Sequence, residues 1–100
     1  MSAVPLFLSG LPVIAWTPVD QRHRDTGSCR HFAGGTLLGP AAGLAICRDT
    51  EGGFYLFGCD AEWNTVTDTW HQTLDDALHQ AESEYEGVGA TWEWMESRPE

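Results

Sequence analysis

The chain contains no lysine, and its five arginines face fifteen aspartates and glutamates over 100 residues, a formal charge of -10 with a pI near 4.5. Phosphate backbones are held by clustered cationic side chains, so this deficit speaks against a general nucleic-acid binder. An anionic membrane surface is an equally poor partner. Long apolar sequence is also scarce. Ala3 to Trp16 is largely apolar, but Pro5, Gly10 and Pro12 interrupt it, no positive charge precedes it and no small-x-small cleavage site follows. It is well short of the ~20 apolar residues that a spanning helix needs. The three cysteines, Cys29, Cys47 and Cys59, form an odd set with no CxxC pair, unlike the even sets of small secreted scaffolds. The expectation is a soluble, cytoplasmic protein with free thiols. Gly34-Gly35 and Gly52-Gly53 are isolated pairs outside any Walker or dinucleotide spacing, and no Gly-x-Ser-x-Gly elbow occurs. No cofactor is expected. Repeats and low-complexity tracts are missing as well.

What is present is enough to fold. At 42% hydrophobic and 20% charged residues, the chain is unlike the polar, aromatic-poor sequences that stay disordered. Its length suits a single domain over residues 1–100 that buries roughly 65% of its unfolded surface. Charge divides it. Residues 1–48 carry Arg22, Arg24, Arg30 and Arg48 against Asp20 and Asp25, a net of +2, whereas residues 49–100 carry Arg98 against thirteen acids, a net of -12.

Residues 1–35 read as an irregular N-terminal arm. A short strand fits Leu11 to Trp16, but Pro12 and Pro18 cannot donate to a ladder, which places it at an edge or leaves it merely extended. Residues 43–95 read as a sheet-helix module. Leu44 to Arg48 and Phe54 to Cys59 flank Asp49-Thr50-Glu51-Gly52-Gly53, which has hairpin-turn chemistry. Asp60 to Asn64 is a second turn and Thr65 to Trp70 a β-branched third strand. Thr73 caps a helix in which Leu74, Ala77, Leu78, Ala81 and Tyr85 form one apolar stripe, and Gly87 supplies a left-handed stop. Trp92 and Trp94 then share one face of a final strand over Thr91 to Met95. The expected fold is α+β, an antiparallel β-meander followed by one amphipathic helix and a final strand, β-β-β-α-β. The simplest sheet order sets the final strand beside Leu44 to Arg48. One helix covers one sheet face, so the arm or a second subunit must cover much of the other.

The stretch from Phe54 to Trp92 resembles small bacterial single-domain proteins of unknown function. The shared features are the Asp60-x-x-Trp63 turn, the Thr67-Asp68-Thr69-Trp70-His71 string, and Ala77, Ala81, Glu84 and Tyr85 on the helix. The resemblance implies a bacterial source and the α+β shape, and carries no catalytic residue with it.

Two constellations invite an enzymatic reading. Asp75, His79, Glu82 and Glu86 are spaced along one side of the helix, with Asp68 and His71 just before it, as carboxylates and imidazoles that ligate a divalent metal are spaced. His23, Cys29 and His31 lie close in sequence and offer zinc ligands or a Cys-His nucleophile, without finger spacing. A solvated polar face is the simpler reading of the first, and no metal site is expected from either. More telling are Glu82, Glu84 and Glu86, which crowd the helix end that already carries partial negative charge. Either Arg22, Arg24 or Arg30 folds back over that end, or a basic surface of a partner docks there. Trp63, Trp70, Trp92 and Trp94 exceed what one helix can cover, and Trp is a favoured interface anchor. The sequence thus points to a non-enzymatic module that binds a protein partner or a second copy of itself, and in one version neutralises a basic partner. The alternative is a metal-dependent or thiol enzyme.

Overall fold

The computed structural model describes residues 3–26, 32–33, 36–37 and 41–95. Cys29, Arg30, His31 and the Gly34-Gly35 pair lie outside the described residues. The chain opens on a hairpin in which β1 (Phe7–Leu8) pairs with β2 (Leu11–Pro18) across Ser9 and Gly10. Their φ values of 51° and 79° are the left-handed pair that a two-residue turn needs to match the twist of its strands. β3 (Arg24–Asp25) is a short bridge, and β4 (Phe32–Ala33) and β5 (Thr36–Leu37) pair with each other.

The meander follows as β6 (Gly43–Arg48), β7 (Phe54–Cys59) and β8 (Thr65–His71), every pair antiparallel. The β6–β7 turn closes as its composition predicts, with the Asp49 N–H donating to the Gly53 carbonyl at 2.8 Å and Gly52 at φ 96°. α1 (Leu74–Glu84) begins at Thr73, whose hydroxyl accepts the Asp76 N–H at 3.1 Å, one of the donors a helix leaves unsatisfied at its start. The helix stops at Glu84 because Tyr85 turns extended, and β9 (Tyr85–Glu86) pairs with β3. Gly87 is left-handed at φ 103°, but it starts a 3₁₀ turn over Val88–Ala90 and does not end the helix. β10 (Glu93–Trp94) closes the fold.

The architecture is the expected α+β meander, helix and strand. One placement differs. The main sheet runs β1-β2-β6-β7-β8, and β10 also pairs with β2, so an N-terminal strand stands between the final strand and β6. β2 is therefore interior. Its prolines permit this because Pro12 and Pro18 sit near the strand's two ends, while Val13 to Thr17 between them keep their N–H groups. β10 still runs parallel to β6, as a helical crossover dictates, since both are antiparallel to β2.

The two sheet faces are covered differently. On one, Leu44, Ile46 and Leu56 meet Ala77, Ala81, Tyr85 and Val88, the two alanines being fully buried and small enough to let the helix lie close to the sheet. On the other, Leu8, Val13, Ala45, Cys47, Phe57, Cys59 and Trp63 cluster with Val4, Leu11, Trp16, Tyr55 and Met95. Among the described residues, that second face is covered by the N-terminal segment, the Trp63 turn and Met95, and by no helix. No helix of the described residues is long and apolar enough to cross a membrane.

Candidate binding face

The acidic helix end is largely satisfied from within. The Glu82 carboxylate accepts the Gly87 N–H at 2.7 Å and the Gly89 N–H at 2.9 Å, so it caps the start of the 3₁₀ turn and faces exposed donors instead of the helix's own carbonyls. Glu84 is buried, with Gln80 Nε2 donating to it at 2.7 Å. Glu86 is exposed and stands 3.5 Å from Arg24 Nε. Thr26 crosses the same end, its N–H donating to the Glu84 carbonyl at 3.1 Å and its hydroxyl to the Ser83 carbonyl. The arm does fold over the helix end, through Arg24 and Thr26. Arg22 turns instead to Asp20, whose carboxyl it holds down at about 2 mainly by a side-chain hydrogen bond. Glu84 is thus unavailable as a docking residue, and Glu82 is already engaged.

The tryptophans divide in the same way. Trp63 is 3% exposed and meets Trp16 edge to face at 5.8 Å, so it belongs to the core and not to an interface. Its left-handed φ of 65° is set by Asp60, whose carboxylate accepts the N–H groups of Glu62 and Asn64, both at 2.9 Å. Those bonds, with the Asn64 side-chain amide foremost, also lower the Asp60 pKa. Trp92 is half-buried against the helix-side cluster, its Nε1 buried without an acceptor among the described residues. Trp70 and Trp94 remain half exposed.

Trp70 lies on the face opposite the helix. There Tyr55 and Phe57 stack with ring centroids 5.6 Å apart and planes 9° from parallel. Asp68 stands opposite Phe57 and Trp70 opposite Tyr55. An open groove of about 460 Å³ runs between the first hairpin and β8, lined by Ser9, Leu11, Tyr55, Phe57 and Val66 with the carboxylates of Asp49 and Asp68. No cationic side chain lines it among the described residues. Trp70 extends the strip, its Nε1 donating to Asp49 Oδ2 at 3.1 Å and its ring packed on Gly53, where a Cβ would overlap it. The sequence marked Trp70, and alternation along its strand places Asp68 on the same face, but Asp49 and Tyr55 come beside it only through the turn and the strand register.

The groups proposed for chemistry are placed otherwise. His79 and Asp75 are exposed on α1, and no set of three His, Cys, Asp or Glu side chains converges among the described residues. Burial pushes the Cys47 and Cys59 thiols up to about 12, so neither is a thiolate near neutrality. A variant with Cys29→Ser is expected to show no reaction with Ellman's reagent at neutral pH until it is unfolded, when both thiols react. The same shift predicts alkaline lability. Folding stabilises the protonated thiols, so their contribution is complete below the ordinary value of 9.0 and is lost as pH rises toward about 12.

One arrangement escaped sequence reasoning. The His23 side chain is fully buried, its Nδ1 accepts the Asp20 N–H at 3.1 Å, and its Nε2 lies 2.9 Å from Thr91 Oγ1. Thr91 Oγ1 is 2.7 Å from Thr17 Oγ1, which donates to the Pro18 carbonyl. An acid, an imidazole and a hydroxyl in line resemble a nucleophile relay. The hydrogen bonds assign the proton to Nε2, however, so His23 donates to Thr91 and has no lone pair with which to take its proton. The chain is a structural tie between the arm and the 3₁₀ turn.

No protein-family model, curated protein or solved structure matches the chain.

Proposed function

We propose that this is a non-enzymatic protein-binding module whose partner is basic and docks on the sheet face opposite the helix. The observation that carries this reading is the groove beside β8, in which stacked Tyr55 and Phe57, exposed Val66 and two carboxylates lie together with no cation among the described residues, while half-exposed Trp70 bonds to Asp49 at its margin. Aromatic rings supply desolvated contact area, and an acidic rim steers and orients a cationic partner. The whole-molecule charge of -10 reinforces that steering. Association with a second copy has the opposite electrostatics. A cytoplasmic setting, where unpaired cysteines persist, belongs to the same reading.

Titration of the intact chain with an arginine-rich peptide and with its glutamate counterpart, followed by tryptophan emission, tests it. The cationic peptide is expected to bind and to weaken as salt is raised, while the anionic one does not. Trp70→Ala should abolish most of the affinity without unfolding the protein. Binding of neither peptide at low salt overturns the proposal, and a salt-insensitive dimer seen by sedimentation would assign the face to self-association.

A further inference from the structure

We infer that the partner enters as an extended cationic segment laid along β8, adding a strand to the sheet. This rests on the protein-binding reading and specifies how the contact is made. β8 is last in the sheet order and, among the described residues, pairs with β7 alone. A terminal strand presents a row of unpaired N–H and C=O groups, which proteins commonly blunt with proline, lysine or a bulge. β8 carries neither proline nor lysine. Its one irregularity lies at its start, where Val66 is the extra residue between the pairs Gly58↔Thr67 and Cys59↔Thr65. Thr67 to His71 are left in regular register. The other edge of the sheet differs, because the outer side of β2 is occupied by β1 at one end and β10 at the other.

Side chains alternate along β8, so Asp68 and Trp70 face the groove side while Thr67, Thr69 and His71 face the helix side. Thr69 and His71 are tied to each other by a 2.8 Å hydrogen bond. Asp68 has no partner of its own among the described residues. A strand added beside β8 would set every second side chain next to Asp68 and Trp70, at the cross-strand spacing of about 4.5–5.5 Å. A guanidinium there meets the carboxylate of Asp68, and the next one of the same parity lies against the exposed indole of Trp70. The segment so recognised has arginine at alternate positions with β-branched or apolar residues between. A second copy is a poor occupant: antiparallel pairing of β8 with itself about its central residue sets Asp68 against Asp68, and like charges directly opposite are destabilising.

The probe is a short peptide of alternating arginine and valine, compared with two analogues N-methylated on one or the other alternating set of amides. In an added strand only one set faces β8. Methylation of that set is expected to weaken binding by about tenfold or more, since it removes several backbone hydrogen bonds at once, while methylation of the other set changes it by less than about twofold. The alternate amide hydrogens of Thr67 to His71 that point away from β7 should gain protection in the complex, and Asp68→Asn should weaken binding and flatten its salt dependence. If the two analogues bind alike, whether as well as the parent or equally worse, strand addition is wrong and the protein-binding reading stands without it. If the parent peptide does not bind, both fall together. A dimer in which the outward-pointing amides of Thr67 to His71 are already protected without peptide gives the edge to a second copy and overturns the inference.

Discussion

Replacing Trp63 with alanine is expected to remove about 3–5 kcal/mol of stability, the range for deleting a large buried aromatic. Trp63 is 3% exposed among Leu8, Val13, Ala45, Cys47, Phe57 and Cys59, so its loss leaves a cavity on a face where no helix of the described residues can settle into it. The edge-to-face contact with Trp16 goes too, which adds about 0.5–1.5 kcal/mol in favourable cases. Domains of this kind hold about 5–15 kcal/mol in total, so the variant should lose a large fraction of its stability. Trp94→Ala is the control, since that ring is half exposed and its removal should cost less than about 1 kcal/mol. Urea midpoints of the two variants measure the difference. A Trp63→Ala protein as stable as Trp94→Ala would contradict the core assignment.

The second large effect concerns Glu82. Its carboxylate satisfies two backbone N–H groups, those of Gly87 and Gly89. Hydrogen bonds to a charged acceptor contribute about 1.5–3 kcal/mol when well shielded, and the partial exposure of this pair lowers that. Glu82→Ala should therefore cost about 2 kcal/mol, and Glu82→Gln about half as much because its single carbonyl can still accept. Removing one negative charge from a helix C-terminus should by itself stabilise by a few tenths of a kcal/mol. The two effects have opposite signs, and the capping bonds win. Glu86→Gln breaks only an exposed ion pair with Arg24, and exposed pairs contribute about 0–1 kcal/mol. Thermal unfolding of the three variants separates a capping residue from a surface charge.

The meander, the helix and its Thr73 cap were legible because period, turn residues and capping chemistry all agree over residues 43–86. The final strand's neighbour was not. Pro12 and Pro18 made Leu11 to Trp16 read as an edge, although a proline near either end of a strand leaves the donors between them intact. A signal for that strand existed in Ser9-Gly10, a small-residue pair with apolar residues on both sides, which is the chemistry of a two-residue turn. The helix end shows the opposite error. Three glutamates near a C-terminus read as unfavourable charge, but Gly87 and Gly89 lie five and seven residues beyond Glu82, and only the extended Tyr85 brings their N–H groups back to it. Of the candidate site, Trp70 was marked in the sequence. Asp68, two residues before it, shares its face by alternation, but Asp49, Tyr55 and Phe57 are brought to the groove by strand register and carry no local pattern.

On the proposed reading, the acidic charge divides into carboxylates used by the fold and carboxylates left for a partner. Measuring Glu82→Gln and Asp68→Asn side by side, each for its melting temperature and for its affinity toward the alternating arginine peptide at low salt, tests that division directly. Glu82→Gln is expected to lower the melting temperature by about 4–8 °C, the shift that corresponds to about 1 kcal/mol in a domain of this size, and to bind the peptide as the parent does. Asp68→Asn should melt with the parent and bind more weakly. The reverse pattern, with affinity lost at Glu82 and stability lost at Asp68, would contradict the account.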